Sequence, residues 1–204
     1  YAEFTNEDAG FPMANTSDST INGYFATANY LDKAVEEFFT YLKKVGLYEN
    51  SVFVLYGDHY GISNGRNNTL ADTWTDFDNA QRQRVPYMIH VPGQTKGGIN
   101  HTYGGQVDAL PTLLHLLGID TSNYIQLGQD LFSDEKEELV AFRDGSFMSP
   151  KYTYYGGVLY DNETQAVAQD LTEEETRHVE QMHERVSRQL DTSDQINNGD
   201  LLRF

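Results

Sequence analysis

The chain has 204 residues and a formal net charge of −17, and that charge argues against DNA or RNA as a partner because binding a nucleic-acid backbone needs a basic surface. The length fits one domain, or one domain with an appendage, and aromatic residues at 13% supply too much packing material for a disordered chain. Cysteine is absent, which excludes a disulfide scaffold, thiol catalysis and cysteine-type zinc sites.

Residues 21–44 are predicted to form an amphipathic helix, with Thr20 as a candidate cap at its start and Gly46 at its end. Apolar side chains recur at steps of three and four and form one stripe: Ile21, Tyr24, Phe25, Ala28, Leu31, Val35, Phe38, Phe39 and Leu42. Residues 51–56, SVFVLY, are typical of a strand buried on both faces of a parallel sheet. A helix followed by such a strand indicates an α/β architecture.

The middle of the chain continues this pattern. Residues 61–84 are polar and irregular, and we expect a long loop with a short helix in it. Residues 85–91, VPYMIHV, are a second apolar run, and Pro86 suits the beginning of a strand or a sheet edge. Residues 108–117 are predicted to form a leucine-rich helix that Asp108 caps.

The pattern changes after about residue 140, where short strand-like runs replace the longer elements. These runs are residues 140–143, 152–155 and 158–160, and the glycine pair at 156–157 predicts a tight hairpin between the last two. Residues 173–190 predict a charged surface helix, acidic at its start and basic near its end, as the helix dipole favours.

The pair Asp58 and His59 is the sharpest candidate for chemistry because it directly follows the first predicted strand. Sites in α/β sheets form beyond the carboxyl ends of strands. A carboxylate and an imidazole side by side suit Mn²⁺ or Zn²⁺, although two ligands do not complete a metal site. The alternative interpretation is ordinary turn chemistry, with an Asp that caps a turn beside an exposed His.

Residues 56–63, YGDHYGIS, resemble the metal-binding signature of the lipoteichoic acid synthases, membrane-anchored extracellular enzymes of the sulfatase and alkaline phosphatase superfamily. The resemblance covers most of the chain in order, through residues 22–32, 46–52, 97–100, 105–108, 111–116, 130–132 and 198–204. It implies an α/β, sulfatase-like partial domain with a mostly parallel sheet in residues 1–133. Residues 134–204 are then expected to form a small subdomain, an antiparallel sheet packed with a helix.

In that family one divalent cation, usually Mn²⁺, is held by a Glu, a nucleophilic Thr and this Asp-His pair. The resemblance therefore implies that Asp58 and His59 are metal ligands, with Mn²⁺ as the expected ion and Mg²⁺ or Zn²⁺ as alternatives. The family's Thr attacks phosphatidylglycerol, diacylglycerol leaves, and a glycolipid-linked polyglycerolphosphate chain accepts the glycerophosphate.

The family's Glu and Thr lie upstream of the first helix and have no counterpart in these residues. We therefore expect no catalytic nucleophile in this chain, and we expect the chain alone to be inactive. The chain does not begin with Met and has no signal-peptide leader, so it is interpreted as a piece of a longer protein. Its expected partner is the N-terminal part of the same catalytic domain.

Three further residues are candidates for substrate binding. By resemblance Ser63 hydrogen-bonds the glycerophosphate head group, with a turn serine paired to backbone as the alternative. Arg66 falls where some relatives have a His; it is either a contact for the anionic head group or a solvated loop cation, the interpretation we favour. His101 is a candidate charge partner for a phosphate, and a surface-loop His is the favoured alternative.

The other histidines predict no chemistry. His90 lies in a predicted strand and His115 on a leucine-rich helix, so both are predicted to be structural, each with a hydrogen-bonded ring nitrogen. His178 and His183 are five residues apart on the charged last helix and do not share a face as an i, i+4 pair would. Both are predicted to face solvent.

The resemblance implies a polyglycerolphosphate-forming glycerophosphotransferase. Alternatives are a primase that adds only the first unit, a sulfatase-like phosphodiesterase or other hydrolase, and a non-catalytic cell-surface binding module. No apolar run approaches the roughly 18 residues that cross a bilayer, so the expected anchor lies upstream. The expected location is the extracellular face of the cell membrane, with release to the cell wall or medium as the alternative.

Overall fold

The computed structural model describes residues 14–63, 65–66, 70 and 84–201, which fall in two compact units that divide between Gly98 and Ile99. The predicted boundary between residues 133 and 134 lies inside the second unit and stays a prediction. The loop expected over residues 61–84 lies mostly outside the described residues, and so does the short helix expected in it. Among the described helices, none is both long enough and apolar enough to cross a membrane.

The first unit begins with helix α1, Ser19–Lys44, which confirms the predicted helix. The predicted cap is wrong, because Asp18 rather than Thr20 closes the helix start. The Asp18 carboxylate accepts hydrogen bonds from the backbone N–H groups of Thr20 at 2.8 Å and Ile21 at 3.3 Å. Its extended backbone, at φ −105° and ψ 110°, is the conformation from which a side chain reaches those amides. Gly46 follows the helix end with a φ of +73°, as predicted.

Strands β1, Phe53–Tyr56, and β2, Tyr87–His90, pair antiparallel, with Phe53 opposite His90 and Tyr56 opposite Tyr87. The expectation of parallel pairing is wrong for these two strands. Apolar composition reports how deeply a strand is buried, whereas the path of the connecting chain sets its direction. The strands are also only partly buried here, rather than buried on both faces.

An aromatic cluster packs the end of α1 against this strand pair. Phe39 of α1 meets Phe53 edge to face at 5.0 Å between ring centroids, and Tyr48 stacks on His90 at 4.7 Å. Tyr48 belongs to a short 3₁₀ helix, Tyr48–Asn50, that connects α1 to β1. His90 is therefore structural, as predicted, through ring stacking.

The second unit begins with a 3₁₀ turn, Gln106–Asp108, that leads into helix α2, Ala109–Leu116. Asp108 is buried, and its carboxylate accepts hydrogen bonds from the N–H groups of Gly105 at 2.8 Å and Gln129 at 2.7 Å. Asp108 stands directly before α2, as predicted, but its side chain does not cap the first amides of that helix; it links the 3₁₀ turn to the segment after the helix. His115 pairs with Asp130 through its Nδ1 atom, so it has the structural role predicted for it.

A four-stranded antiparallel sheet with the order β3-β4-β5-β6 follows, as predicted for this part of the chain. Its strands are β3, Val140–Ala141, β4, Phe147–Met148, β5, Tyr152–Tyr155, and β6, Val158–Asp161. The predicted hairpin joins β5 to β6, and its two glycines have φ values of 61° and 84°. Strand β4 was not predicted, because two residues between turns leave no alternation to detect.

Helix α3, Glu173–Asn198, packs one face against this sheet, as predicted, and most of its other residues are exposed, as expected of a charged surface helix. Val179, Met182 and Val186 are buried with Phe147 and Tyr152 of the sheet. Three apolar residues at steps of three and four form a stripe too narrow to stand out among the charges. The helix also runs eight residues beyond the predicted end at residue 190, and its last turn carries no basic residue.

The two histidines of α3 differ in environment. His178 is exposed, as predicted. His183 is partly buried, and its ring meets those of Phe147 at 5.0 Å and Tyr154 at 4.4 Å, edge to face. The prediction that His183 faces solvent is therefore wrong. Its position directly after the buried Met182 places it at the margin of the apolar stripe.

Glu175 joins the start of α3 to the sheet. Its carboxylate accepts hydrogen bonds from Lys151 Nζ at 2.7 Å, the Tyr152 hydroxyl at 3.1 Å and the Thr172 N–H at 3.0 Å. The hydrogen bond from Lys151, followed by those from Thr172, lowers the pKa of Glu175 from 4.5 to about 2. A carboxylate with a depressed pKa in the folded state stabilises the fold above its unfolded pKa. That stabilisation is lost as the pH falls through the folded value.

We expect Glu175→Gln to lower the thermal unfolding midpoint near neutral pH and to flatten the loss of stability between pH 4.5 and about 2. Circular dichroism melts over a pH series measure both effects. Glu180→Gln is the matched control, since Glu180 is exposed on the same helix. A Glu175→Gln protein that melts like the wild type at every pH would contradict the assignment.

Candidate metal centre

The chain leaves the two-stranded sheet directly after Gly57. The Gly57 N–H donates to the Pro86 carbonyl at 3.0 Å, which continues the strand pairing by one residue. A Cβ atom at Gly57 would lie 2.7 Å from the Val85 Cβ, so only glycine fits against the neighbouring chain there. Asp58 and His59 follow directly, and both side chains project into solvent, with exposures of 83% and 70%.

The donor atoms of the pair face each other. Asp58 Oδ1 lies 3.6 Å from His59 Nε2. The other ring nitrogen, Nδ1, lies 2.8 Å from the backbone carbonyl of Tyr60, and since a carbonyl only accepts, Nδ1 carries the proton in that hydrogen bond. In the neutral ring, Nε2 then presents its lone pair on the side of the Asp58 carboxylate.

This arrangement fits one divalent cation. Nitrogen and oxygen ligands lie about 2.0–2.2 Å from such an ion, so two donors on one ion are roughly 3–3.5 Å apart. The 3.6 Å between Asp58 Oδ1 and His59 Nε2 is close to that range. A hydrogen bond from the second ring nitrogen to a backbone carbonyl is also the usual way in which proteins orient a metal-binding His.

The donor set is partial. Within the described part of the chain, no group of three or more His, Cys, Asp or Glu side chains is placed to hold a metal ion. Two donors bind a divalent cation weakly, because structural and catalytic sites use three or four protein ligands. The pair therefore accounts for part of a site.

The other predicted site residues lie in two places. The Ser63 carbonyl accepts a hydrogen bond from the Arg66 N–H at 3.0 Å, which closes a turn after the pair, and both residues are exposed. Arg66 Nε donates to Asp18 Oδ2 at 3.0 Å, and Arg66 Nη2 donates to Thr20 Oγ1 at 3.4 Å. His101 lies in an exposed loop of the second unit.

The structure identifies contacts of this segment that the sequence did not indicate. A Cβ atom at Gly61 would lie 2.0 Å from the Tyr24 hydroxyl oxygen, so α1 touches the backbone here. Burial acts to raise the pKa of Asp18, but hydrogen bonds from the Thr20 and Ile21 amides and the charge of Arg66 hold it below its usual value. In the sequence, Gly61, the second glycine of YGDHYGIS, is the one feature that could have indicated a close contact of this loop.

A protein-family model described as Sulfatase matches residues 1–119 of the chain. Over 202 residues the chain is 50% identical to lipoteichoic acid synthase 1 of Bacillus subtilis and 44% identical to the lipoteichoic acid synthase of Staphylococcus aureus strain USA300. These alignments cover 97% of this chain, but 31% and 30% of the two relatives. The chain thus spans about a third of the length of the curated relatives that it matches.

One solved structure is also similar. It is the crystal structure of the lipoteichoic acid synthase LtaP from Listeria monocytogenes, with a TM-score of 0.72 and 26% sequence identity. The match covers 89% of this chain and 47% of that chain.

Proposed function

The chain belongs to the sulfatase family, and from that premise we propose that it is the carboxyl-terminal part of the catalytic domain of a glycerophosphotransferase. The proposed enzyme polymerises polyglycerolphosphate from phosphatidylglycerol to make lipoteichoic acid. The main support for the proposal is sequence identity to two lipoteichoic acid synthases, 50% to the one from Bacillus subtilis and 44% to the one from Staphylococcus aureus, over 97% of this chain. The predicted resemblance and the sulfatase-like fold are confirmed.

Asp58 and His59 are the proposed metal ligands of this chain, with Mn²⁺ as the proposed ion and Mg²⁺ or Zn²⁺ as alternatives. A bound divalent cation would lower the pKa of a hydroxyl nucleophile and offset charge on the phosphoryl oxygens. Asp58 supplies a negative oxygen donor, and His59 a neutral nitrogen donor that its hydrogen bond to the Tyr60 carbonyl orients. The nucleophile in this proposal is a Thr outside the chain, which forms a covalent intermediate, and the chain alone is inactive.

Three side chains are proposed to contact the substrate. Ser63 closes a turn directly after the metal pair, and its exposed hydroxyl is the proposed donor to the glycerophosphate head group. Arg66 has guanidinium donors beyond those that Asp18 and Thr20 take, and these are the proposed contact for the anionic head group. His101 remains a proposed charge partner for a phosphate.

The proposed partner of the chain is the N-terminal part of the same catalytic domain. Four large side chains of α1 are exposed: Tyr30 by 53%, Leu31 by 63%, Phe38 by 52% and Tyr41 by 60%. A row of large exposed apolar side chains is typical of a surface that another protein segment covers. In this proposal an upstream segment anchors the enzyme at the extracellular face of the membrane, with release to the wall or medium as the alternative.

We expect Asp58→Ala and His59→Ala to weaken Mn²⁺ binding more than about 100-fold, since losing a ligand costs more than the roughly 10–100-fold loss from losing a group that orients one. Isothermal titration of the protein that contains this chain and the rest of its catalytic domain measures the affinity. Asp134→Ala is the matched control because Asp134 is exposed in the second unit. Wild-type Mn²⁺ affinity in Asp58→Ala would remove Asp58 from the site.

We expect the same complete protein to convert labelled phosphatidylglycerol into a glycolipid-linked polymer, which thin-layer chromatography separates from shorter products. A single glycerophosphate unit on the glycolipid would identify a primase instead. Free glycerophosphate without polymer would identify a hydrolase, and absence of both Mn²⁺ binding and turnover would identify a binding module. Any of these three results would overturn the polymerase proposal.

A further inference from the structure

We propose that the amino-terminal end of α1 is a platform that holds the loop of Asp58 and His59 in its metal-binding position. In this proposal Arg66 and Tyr24 are positioning residues for the loop, a role that is separate from the head-group contact proposed above for the remaining donors of Arg66. The inference rests on the proposed function, because it concerns the same pair of ligands.

The first attachment is the ion pair between Arg66 and Asp18, which are 48 residues apart in the chain. One carboxylate serves two elements: Asp18 Oδ1 accepts from the first amides of α1, while Oδ2 accepts from Arg66 Nε at 3.0 Å. The Asp18 side chain is only 24% exposed, so this pair is less screened by water than an ordinary surface pair. Because the Arg66 N–H also bonds the Ser63 carbonyl, the ion pair fixes the end of the loop.

The second attachment is the contact between Gly61 and Tyr24. A Cβ atom built at Gly61 would lie 2.0 Å from the Tyr24 hydroxyl oxygen and 2.6 Å from Cζ. Neither distance is compatible with a side chain, so any residue other than glycine must push the loop away from α1 or move the ring. Glycine is needed at position 61 because the ring is so close, and not for a left-handed backbone, since the φ of Gly61 is not positive.

These attachments bracket the ligand pair. On one side, Gly57 is hydrogen-bonded to the Pro86 carbonyl and packed on Val85. On the other side, Gly61 lies against Tyr24, which leaves only three residues between the two fixed points. Because only three residues separate these two contacts, the backbone path between them influences where Asp58 and His59 place their donor atoms. A shift at Gly61 or Arg66 should therefore change the separation of the donor atoms.

The chain offers closely matched variants to test this. In Gly61→Ala either the loop or the Tyr24 ring must shift, and the proposal expects the loop to do so; Gly65→Ala is its control, because a Cβ atom there meets nothing within 4 Å. Arg66→Gln removes the ion pair, and Asp18→Asn removes it from the other side while keeping a good helix cap. Lys33→Gln is the control for charge, since it breaks an exposed ion pair with Glu36 farther along α1.

The complete protein is studied in two states. In the metal-free state, hydrogen exchange of residues 57–63 should quicken in Gly61→Ala, Arg66→Gln and Asp18→Asn, but not in the two controls. In the loaded state, the same three variants should lose roughly tenfold or more in Mn²⁺ affinity, as groups that orient a ligand do. Arg66→Lys should recover part of the loss because it restores the charge without the fork of donors.

A double variant keeps the test decisive if Gly61→Ala folds poorly. Tyr24→Leu removes the ring that the new methyl group would meet, so adding it to Gly61→Ala should recover part of the Mn²⁺ affinity. Wild-type exchange and wild-type Mn²⁺ affinity in Arg66→Gln and Gly61→Ala would overturn the platform. A raised KM for phosphatidylglycerol in Arg66→Gln, with unchanged Mn²⁺ affinity and exchange, would overturn it in favour of a head-group contact.

A failure of the proposed function would give a different result from a failure of the platform. If the wild-type protein does not bind Mn²⁺, the metal site is wrong. The exchange of residues 57–63 in the metal-free variants still decides whether α1 holds the loop.

Discussion

The backbone of Gly61 lies so close to the Tyr24 ring that a Cβ atom would be 2.0 Å from its hydroxyl oxygen, so the chain after β1 and this ring keep their observed positions together only with glycine there. The two glycines of the YGDHYGIS motif thus have related roles, since each lets the backbone approach a neighbour: Val85 for Gly57 and Tyr24 for Gly61. Between these contacts the chain has room for only three residues, and two of them are Asp58 and His59. The spacing of the motif follows from where the loop must touch its surroundings.

Local features of the fold could be predicted from sequence, and features that depend on distant residues could not. Helix α1 was predicted from the periodicity of its apolar residues, and the hairpin between β5 and β6 from a glycine pair. Both are patterns within a few neighbouring residues. The direction of β2 depends on the path of the intervening chain, which no local pattern records. The packing of α3 with the sheet was expected, but its three buried residues were not named, because they lie among many charges.

In the candidate site, too, local features could be predicted from sequence and contacts between distant residues could not. The position of Asp58 and His59 at a strand end could be read from the motif, because the strand and the pair are adjacent in sequence. The partner of Arg66 could not, because Asp18 lies 48 residues away and looked like one acidic residue among many. Arg66 was favoured as a solvated cation because sequence alone names no partner for it. The structure shows that Asp18 is the partner of Arg66. This ion pair attaches the loop to the start of α1, which the local composition does not indicate.

The ion pair also bears on how the proposed site would treat an anionic substrate. The chain has a net charge of −17, and the charge of Arg66 is largely balanced by Asp18. Asp18 therefore offsets part of the positive potential that Arg66 offers a phosphate group, and the Asp58 carboxylate adds negative potential. A divalent cation between Asp58 and His59 would reverse that local sign. In the proposed enzyme, a cation held by Asp58 and His59 would thus favour entry of the phosphate as well as lower the pKa of the nucleophile, and the platform that orders its ligands would serve both.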